Sequence, residues 1–249
     1  MGDELIASGQ ARKMQQAHPG KVVIQDRNGA HREHEMWANN PRIARRSDRL
    51  FKPQYLVNGP GVRPYIATKS PDRWGWREWE CPVGEIYFSA DELAFAMECS
   101  PGVVIEPNNK QKASPNKDWG FERWRELALL MIGAGIRPWQ IGPNGARVLP
   151  GARMICTPTF RLGCAVLAKA KACVLPEGGL HHAAAALGVP AIVIFGGFIS
   201  PKQTGYATQT NLFTGGAPCG MRIPCEHCAE AMAAITPRMV MDELAKLLG

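Results

Sequence analysis

The stretch Pro176-Glu177-Gly178-Gly179-Leu180-His181-His182, which runs straight into Ala183-Ala184-Ala185-Ala186-Leu187-Gly188, has residue types suited to a phosphorylated ligand. Two glycines after a buried strand let backbone N–H groups approach a bound group closely. The helix start that follows turns its positive end toward a diphosphate. Glu177 is placed to accept hydrogen bonds from ribose or sugar hydroxyls, and His182 to donate one to a phosphate oxygen. The plainer reading is a tight strand-to-helix turn with a polar cap. The spacing is not Gly-x-Gly-x-x-Gly, so a dinucleotide is not implied.

Three other groups have chemical potential, each with a bland counterpart. Of the eight cysteines (81, 99, 156, 164, 173, 219, 225 and 228), the last three cluster as Cys219-x5-Cys225-x2-Cys228 with His227 inside. Two thiolates on one tight turn suit zinc, but no second Cys-x2-Cys pair accompanies them, and a metal-free loop of three thiols is the alternative. The remaining cysteines read as reduced thiols. Trp74-Gly75-Trp76-Arg77-Glu78-Trp79 offers aromatic faces for sugar rings or bases, or for simple packing. Arg45 lies in the basic stretch RIARRSDRLFK (42–52), which would meet phosphate, anionic lipid or nucleic acid, or face solvent. His31 and His34 fall in HREHE, which lacks the HExxH spacing of a zinc protease.

The elements that must position these residues are legible chiefly in the second half. Residues 4–18 have helical spacing and stop at Pro19-Gly20, KVVIQD (21–26) reads as a buried strand, and an irregular Pro-, Gly- and Trp-rich segment follows to about residue 82. GEIYFS (84–89) reads as a strand leading into the helix ADELAFAMEC. Beyond residue 100 come the strand GVVIEPN (102–108), a helix over 121–135, a strand over 136–144, the helix FRLGCAVLAKAK, and the strand ACVLP (172–176). The Gly-rich turn, the Ala-rich helix, the strand PAIVIFGG (190–197) and a C-terminal helix begun by Thr236-Pro237 complete the order. Such alternation predicts an α/β fold with a parallel sheet covered on both faces, its ligands beyond the carboxyl ends of the strands.

Composition bounds the rest. The chain has 249 residues, 45% of them apolar, with 29 Lys and Arg against 22 Asp and Glu for a net charge of +7. A chain of this size buries a core without disulfide staples. It has no apolar run long enough for a membrane span and no signal-peptide pattern at its start, so a cytoplasmic protein is expected. The positive balance suits phosphorylated ligands as well as DNA.

The run ACVLPEGGLHHAAAALGVPAIVIFGG resembles the signature of glycosyltransferase family 9, the ADP-heptose:lipopolysaccharide heptosyltransferase-like enzymes. Lys117-Asp118-Trp119 is similar to the family's Lys-x-Trp element, Thr159-Phe160-Arg161-Leu162 to its Leu-rich helix before the signature strand, and Gly2-Asp3 to its Gly-Asp turn. The resemblance covers roughly residues 100–249 well and 20–100 thinly. It implies a GT-B-like fold: two Rossmann-like domains with parallel sheets facing a cleft, here an acceptor-side domain over 1–100 and a nucleotide-sugar domain over 101–249. The strand that precedes Gly2-Asp3 in the family is missing from the chain.

By the same resemblance the protein is an inverting glycosyltransferase with a nucleotide-diphosphate sugar as donor substrate and no metal or other cofactor required. Asp3 would be the base that deprotonates the acceptor hydroxyl, and Lys117 would neutralise the leaving diphosphate. Glu177, Gly178, Gly179, Leu180, His181, His182 and Asn108 would hold the donor, and Trp74, Trp76, Trp79 and Arg45 the acceptor side. Glu177 stands where the family has Asp or Ser, a departure that bears on which sugar is held. The expected acceptor is a lipopolysaccharide-like glycan, with a hydroxymethylated base of DNA or a non-catalytic sugar-nucleotide-binding role as alternatives.

Overall fold

The computed structural model describes residues 1–59, 61–108 and 114–249. Helix α1 (Gly2–Ala17) buries Leu5, Ile6, Ala7, Ser8, Gly9 and Ala11. These residues pack over a parallel pair, β1 (Val22–Gln25) and β2 (Gln54–Val57). A turn of 3-10 helix at Glu35–Trp37 closes the same side, with Trp37 Nε1 donating to the Glu4 carbonyl at 2.8 Å. The segment expected to be irregular up to residue 82 holds β2 and also an antiparallel hairpin, β3 (Ile66–Lys69) and β4 (Trp74–Trp76).

GEIYFS is not a strand. It packs along α1 outside any sheet, and side chains rather than a neighbouring strand bond its backbone, Ser8 at Glu85, Arg161 at Tyr87 and Glu92 at Ser89. Ser8 Oγ accepts the Glu85 N–H at 2.8 Å, and Arg12 donates to the Val83 carbonyl at 2.9 Å. The approach needs two glycines. A Cβ on Gly9 would lie 2.5 Å from the Val83 oxygen, and one on Gly84 would lie 2.6 Å from the Leu5 oxygen. Ser89 then caps α2 (Ala90–Met97) in a capping box with Glu92.

From residue 103 onward the chain builds one six-stranded parallel sheet. Its elements in order are β5 (Val103–Ile105), a 3-10 turn at Pro115–Lys117, α3 (Phe121–Gly133), β6 (Pro138–Gly142), β7 (Arg153–Cys156), α4 (Phe160–Leu167), β8 (Ala172–Pro176), α5 (Gly179–Leu187), β9 (Ala191–Ile194), α6 (Pro201–Thr204), β10 (Thr210–Leu212), α7 (Glu226–Ala234) and α8 (Pro237–Leu248). The strand order is β10-β9-β8-β5-β6-β7. Side chains alternate between the two faces, as strand geometry requires. Val103, Ile105, Val174, Ile192 and Ile194 join the core formed with α3 and α8, around Trp119, Trp124, Leu127 and Leu244. Val104, Cys173, Leu175 and Val193 join Cys164, Val166 and Ala183 in a second core, which continues without a break into Leu5, Ile6, Ile24 and Trp37. The first hundred residues therefore share a core with one face of the large sheet.

Arg161 fastens that junction. Its side chain is 6% exposed and forks onto Glu92 at 2.6 and 2.7 Å while donating to the carbonyls of Glu35 and Tyr87. Hydrogen bonds from Arg161 hold the Glu92 carboxyl below its ordinary range. Arg161→Met removes all four bonds and is expected to cost about 3 kcal/mol. The loss should show as a lower urea midpoint at unchanged slope.

Candidate functional site

A cavity of about 710 Å³ opens at the carboxyl ends of β5, β6 and β8, where Glu106, Gly142 and Pro176 line it. Parallel sheets bind ligands at this end because the strand-to-helix turns meet there. Its opposite wall is the start of α1, with Gly2 and Asp3, and the β3–β4 hairpin, with Trp74 and Trp76.

On the sheet side, the 3-10 turn after β5 carries Lys117 to Glu177, which follows β8, and the two form an ion pair. Thr204 Oγ1 donates to the other Glu177 oxygen at 3.2 Å. Burial alone would raise the Glu177 pKa, but the Lys117 ammonium, His181 and Thr204 together hold it below the ordinary range. Glu177, His181 and His182 lie close enough to share a cation, and the Lys117 ammonium already occupies the Glu177 end of that group.

The adjacent histidines do different work. His181 accepts the Gly178 N–H on Nδ1 at 2.8 Å and bonds the Thr204 carbonyl through Nε2 at 2.8 Å. This pattern assigns its proton to Nε2 and uses both ring nitrogens on backbone. His181 therefore closes the start of α5 from behind and does not border the cavity. His182 does border it. Its Nδ1 meets the Tyr206 hydroxyl at 2.7 Å, and Cys81 Sγ donates to that hydroxyl at 3.3 Å. With the Tyr206 proton on Nδ1, the proton of the imidazole sits on Nε2. Burial keeps His182 well below its ordinary pKa, so the ring is a neutral N–H donor. The first turn of α5, whose N–H groups have no partner within the helix, borders the cavity at Gly179 and Leu180.

Across the cavity, Asp3 accepts from Arg63 Nε at 2.8 Å and from the Tyr65 hydroxyl at 2.8 Å, one bond on each oxygen. Burial raises the Tyr65 pKa well above its ordinary value, so the phenol is a donor to that carboxylate. Arg63 lies 4.8 Å over the Trp74 ring, and Trp74 and Trp76 meet edge to face at 6.1 Å. Trp76 packs on Phe198 at 5.3 Å, and the Lys117 ammonium sits 5.2 Å above the same ring. The aromatic wall thus joins the Asp3 side to the Lys117 side. Trp76 Nε1 is buried without a partner among the described residues.

Asp3, Asn108, Lys117, Glu177, Gly178, Gly179, Leu180, His182, Trp74 and Trp76 all line this cavity. Trp79 and Arg45 do not. Trp79 packs into the shared core, and Arg45 is exposed, donating to Asn39. Arg42 in the same basic stretch is spent on Glu85 and Gln15, and none of residues 42–52 reaches the cavity. The stretch therefore gives no support to a DNA acceptor. Cys219 and Cys225, from the loop before α7, come together with His227 and Cys228 in the first turn of that helix.

Sequence reasoning missed Arg63, Tyr65, Phe198, Arg222 and Glu106. Glu106 is the most telling of them. It is 5% exposed, its Oε1 accepts the Asn108 N–H at 2.7 Å, and its Oε2 is buried at the cavity with no partner among the described residues. Burial pushes its carboxyl up to about 7. Its place just after a central strand was a usable signal, because that is where parallel sheets meet their ligands.

The model of glycosyltransferase family 9 (heptosyltransferase) matches residues 83–222. The chain belongs to glycosyltransferase family 9. It is 32% identical over 164 residues to lipopolysaccharide heptosyltransferase 1 of Pseudomonas aeruginosa, covering 62% of this chain and 44% of that protein. Among solved structures, ADP-heptose lps heptosyltransferase II of E. coli superposes with a TM-score of 0.50 at 21% identity, over 68% of this chain and 54% of that one. A family 9 glycosyl transferase from Veillonella parvula superposes with a TM-score of 0.65 at 13% identity, over 100% of this chain and 94% of that one. The family 9 chain thus has the α/β, GT-B-like fold built on a parallel six-stranded sheet. It spans about half the length of the two heptosyltransferases. No helix among the described residues is long and apolar enough to cross a membrane.

Proposed function

We propose that this chain moves a sugar, with inversion, from a nucleoside-diphosphate sugar to a hydroxyl of a glycan. One observation carries the reading. A carboxylate held by two donors, Asp3 on Arg63 and Tyr65, shares a single cavity with Lys117, the His182 N–H and the start of α5. The first half, roughly 1–100, supplies the acceptor side and the base. The second half, roughly 101–249, binds the donor.

In this scheme the donor diphosphate lies against the first turn of α5. Gly178 and Gly179 allow its approach, His182 Nε2 donates to it, and Lys117 neutralises the charge that grows as the sugar leaves. Asp3 takes the proton of the acceptor hydroxyl, whose oxygen attacks the anomeric carbon from the side opposite the diphosphate. Trp74 and Trp76 stack against the acceptor sugar. Glu177 accepts from hydroxyls of the donor sugar. Positive charge at the diphosphate comes from Lys117 and the helix start, so the transfer itself runs without a metal there. The names of the relatives make ADP-heptose the first donor to test and a lipopolysaccharide-type glycan the first acceptor.

The test is a thermal-shift panel with ADP-, GDP-, UDP- and CMP-sugars, followed by transfer assays on the donor that binds. A ligand at 100 times its Kd raises stability by about 2.7 kcal/mol. ADP-heptose is expected to give the largest shift. If none of these donors stabilises the protein and none is hydrolysed, the reading is wrong.

Glu106 supplies a sharper check on the nucleoside. Its unpartnered oxygen is assigned to a ribose hydroxyl, a charge-assisted bond worth about 1.5–3 kcal/mol. Glu106→Gln should therefore weaken donor binding by about 10- to 100-fold. A carboxyl whose pKa is raised on folding loses stabilisation as pH rises from 4.5 through about 7. The Gln variant should be the more stable protein at pH 8 even as it binds donor less well, and unchanged donor affinity would remove Glu106 from the site.

A further inference from the structure

Cys219, Cys225, His227 and Cys228 stand apart from the residues that line the cavity, and their potential ligand atoms all lie within 4.8 Å of one another. Cys219 Sγ is 3.7 Å from Cys225 Sγ and 3.1 Å from Cys228 Sγ, and Cys228 Sγ is 3.9 Å from His227 Nδ1. A tetrahedral zinc site with arms of about 2.3 Å to sulfur has sulfur–sulfur edges of about 3.8 Å. The three sulfurs and one nitrogen are thus gathered at the scale of a single ion.

The imidazole is oriented for that task. His227 bonds the Gly215 carbonyl through Nε2 at 2.8 Å, which puts its proton there and leaves the Nδ1 lone pair turned toward the sulfurs. A metal-bound histidine is commonly fixed in this way by a carbonyl on its other nitrogen. The ring is also pressed onto Gly197, where a Cβ would lie 2.8 Å from Cε1 and 2.9 Å from Nδ1.

We propose that Cys219, Cys225, Cys228 and His227 hold one thiophilic divalent cation, zinc by its preference for this donor set, as a closed four-ligand structural centre. Each thiol gives up its proton to solvent as its metal–sulfur bond forms. Four protein ligands leave no open position, so the ion is a brace and not a Lewis acid. What it braces is the cavity wall. The ligand loop receives the Trp74 N–H on the Gly220 carbonyl at 2.9 Å and Arg73 Nε on the Cys219 carbonyl at 2.9 Å. On its other side the buried Asn116 donates to the carbonyls of Met221 and Ile223 at 2.6 and 2.7 Å and accepts the Cys225 N–H at 3.2 Å. Asn116 is the neighbour of Lys117, so one loop fixes both the Trp74 hairpin and the turn that presents Lys117.

Elemental analysis of the purified chain, with any affinity tag removed, is expected to find about one zinc per chain. Iron at the same stoichiometry would equally support the site. Replacing the ion with cobalt(II) should give thiolate-to-metal charge-transfer absorption and the visible bands of a tetrahedral centre. Cys219→Ser with Cys228→Ser should abolish both metal and bands, whereas Cys156→Ser, at an exposed cysteine outside the cluster, should keep them. Should the double variant fail to fold, His227→Ala serves instead, expected to fold but to lose its ion sooner to a competing chelator. Metal far below one per chain, with all three thiols open to a thiol reagent, would overturn the proposal. So would a Cys219–Cys228 disulfide found by peptide mapping.

Discussion

Asp3→Asn is expected to lower sugar transfer by about 10²–10⁴-fold, the usual contribution of a positioned general base, while donor affinity stays within about twofold of the parent. The substitution preserves shape. Asn58 still donates to the backbone carbonyl of residue 3, at 3.1 Å in the parent, and α1 keeps its place in the shared core. What changes is the atom that can take a proton. In the parent, Arg63 and Tyr65 each donate to a different oxygen of Asp3, which orients the carboxylate and leaves it a further lone pair for the acceptor hydroxyl. An amide has no such basic oxygen and turns an N–H₂ toward one of two donors. The effect should therefore fall on kcat and not on the thermal shift produced by donor. Equal losses in kcat and in donor binding would mean that Asp3 only holds the wall together through Arg63. Full activity would end its role as base.

The larger elements were readable where one segment carried its own signal. The helical spacing of residues 4–18 and 121–135, the β-branched runs VVI and AIVI, and Thr236-Pro237 each reappear as α1, α3, β5, β9 and the start of α8. The edges were not readable, because their signal lies in their partners. β7 is an edge strand with Arg153 and Cys156 exposed, and β10 has three residues, so neither shows the apolar run of a central strand. GEIYFS had the composition of a strand, yet the side chains of Ser8, Arg161 and Glu92 take its backbone bonds.

The candidate site divides in the same way. Gly178, Gly179 and Lys117 stood out because the turn and the family resemblance are local. Arg63 and Tyr65 act on a residue about 60 positions earlier and leave no local trace. Sequence reasoning assigned His182 the phosphate contact but left His181 on the donor beside it. Only Thr204 and Tyr206, more than 20 positions later, decide which ring serves the backbone and which serves the cavity.

The Lys117–Glu177 pair should separate structure from chemistry in a double-mutant cycle. Glu177 is 5% exposed, and Lys117 is its charged partner. Lys117→Met alone leaves a buried carboxylate beside a neutral chain and is expected to cost about 3–5 kcal/mol of stability. Glu177→Gln keeps the acceptor for Thr204 and removes the buried charge. The double variant, Lys117→Met with Glu177→Gln, should therefore recover most of the stability lost by Lys117→Met.

If Lys117 also neutralises the leaving diphosphate, the same double variant should still transfer sugar about 10²–10³-fold more slowly than the parent. Recovery of both stability and turnover would reduce Lys117 to a counterion for Glu177. The acid limb gives an independent reading. A carboxyl held below its ordinary value of 4.5 contributes stability that is complete above 4.5 and is lost as pH falls through the depressed value. Every variant carrying Glu177→Gln should show a flatter loss of stability toward low pH than the parent. Lys117→Met should invert that limb, gaining stability as protonation of Glu177 removes the stranded charge. Superimposable acid limbs in the parent and in Glu177→Gln would mean that Glu177 is not held ionised by Lys117.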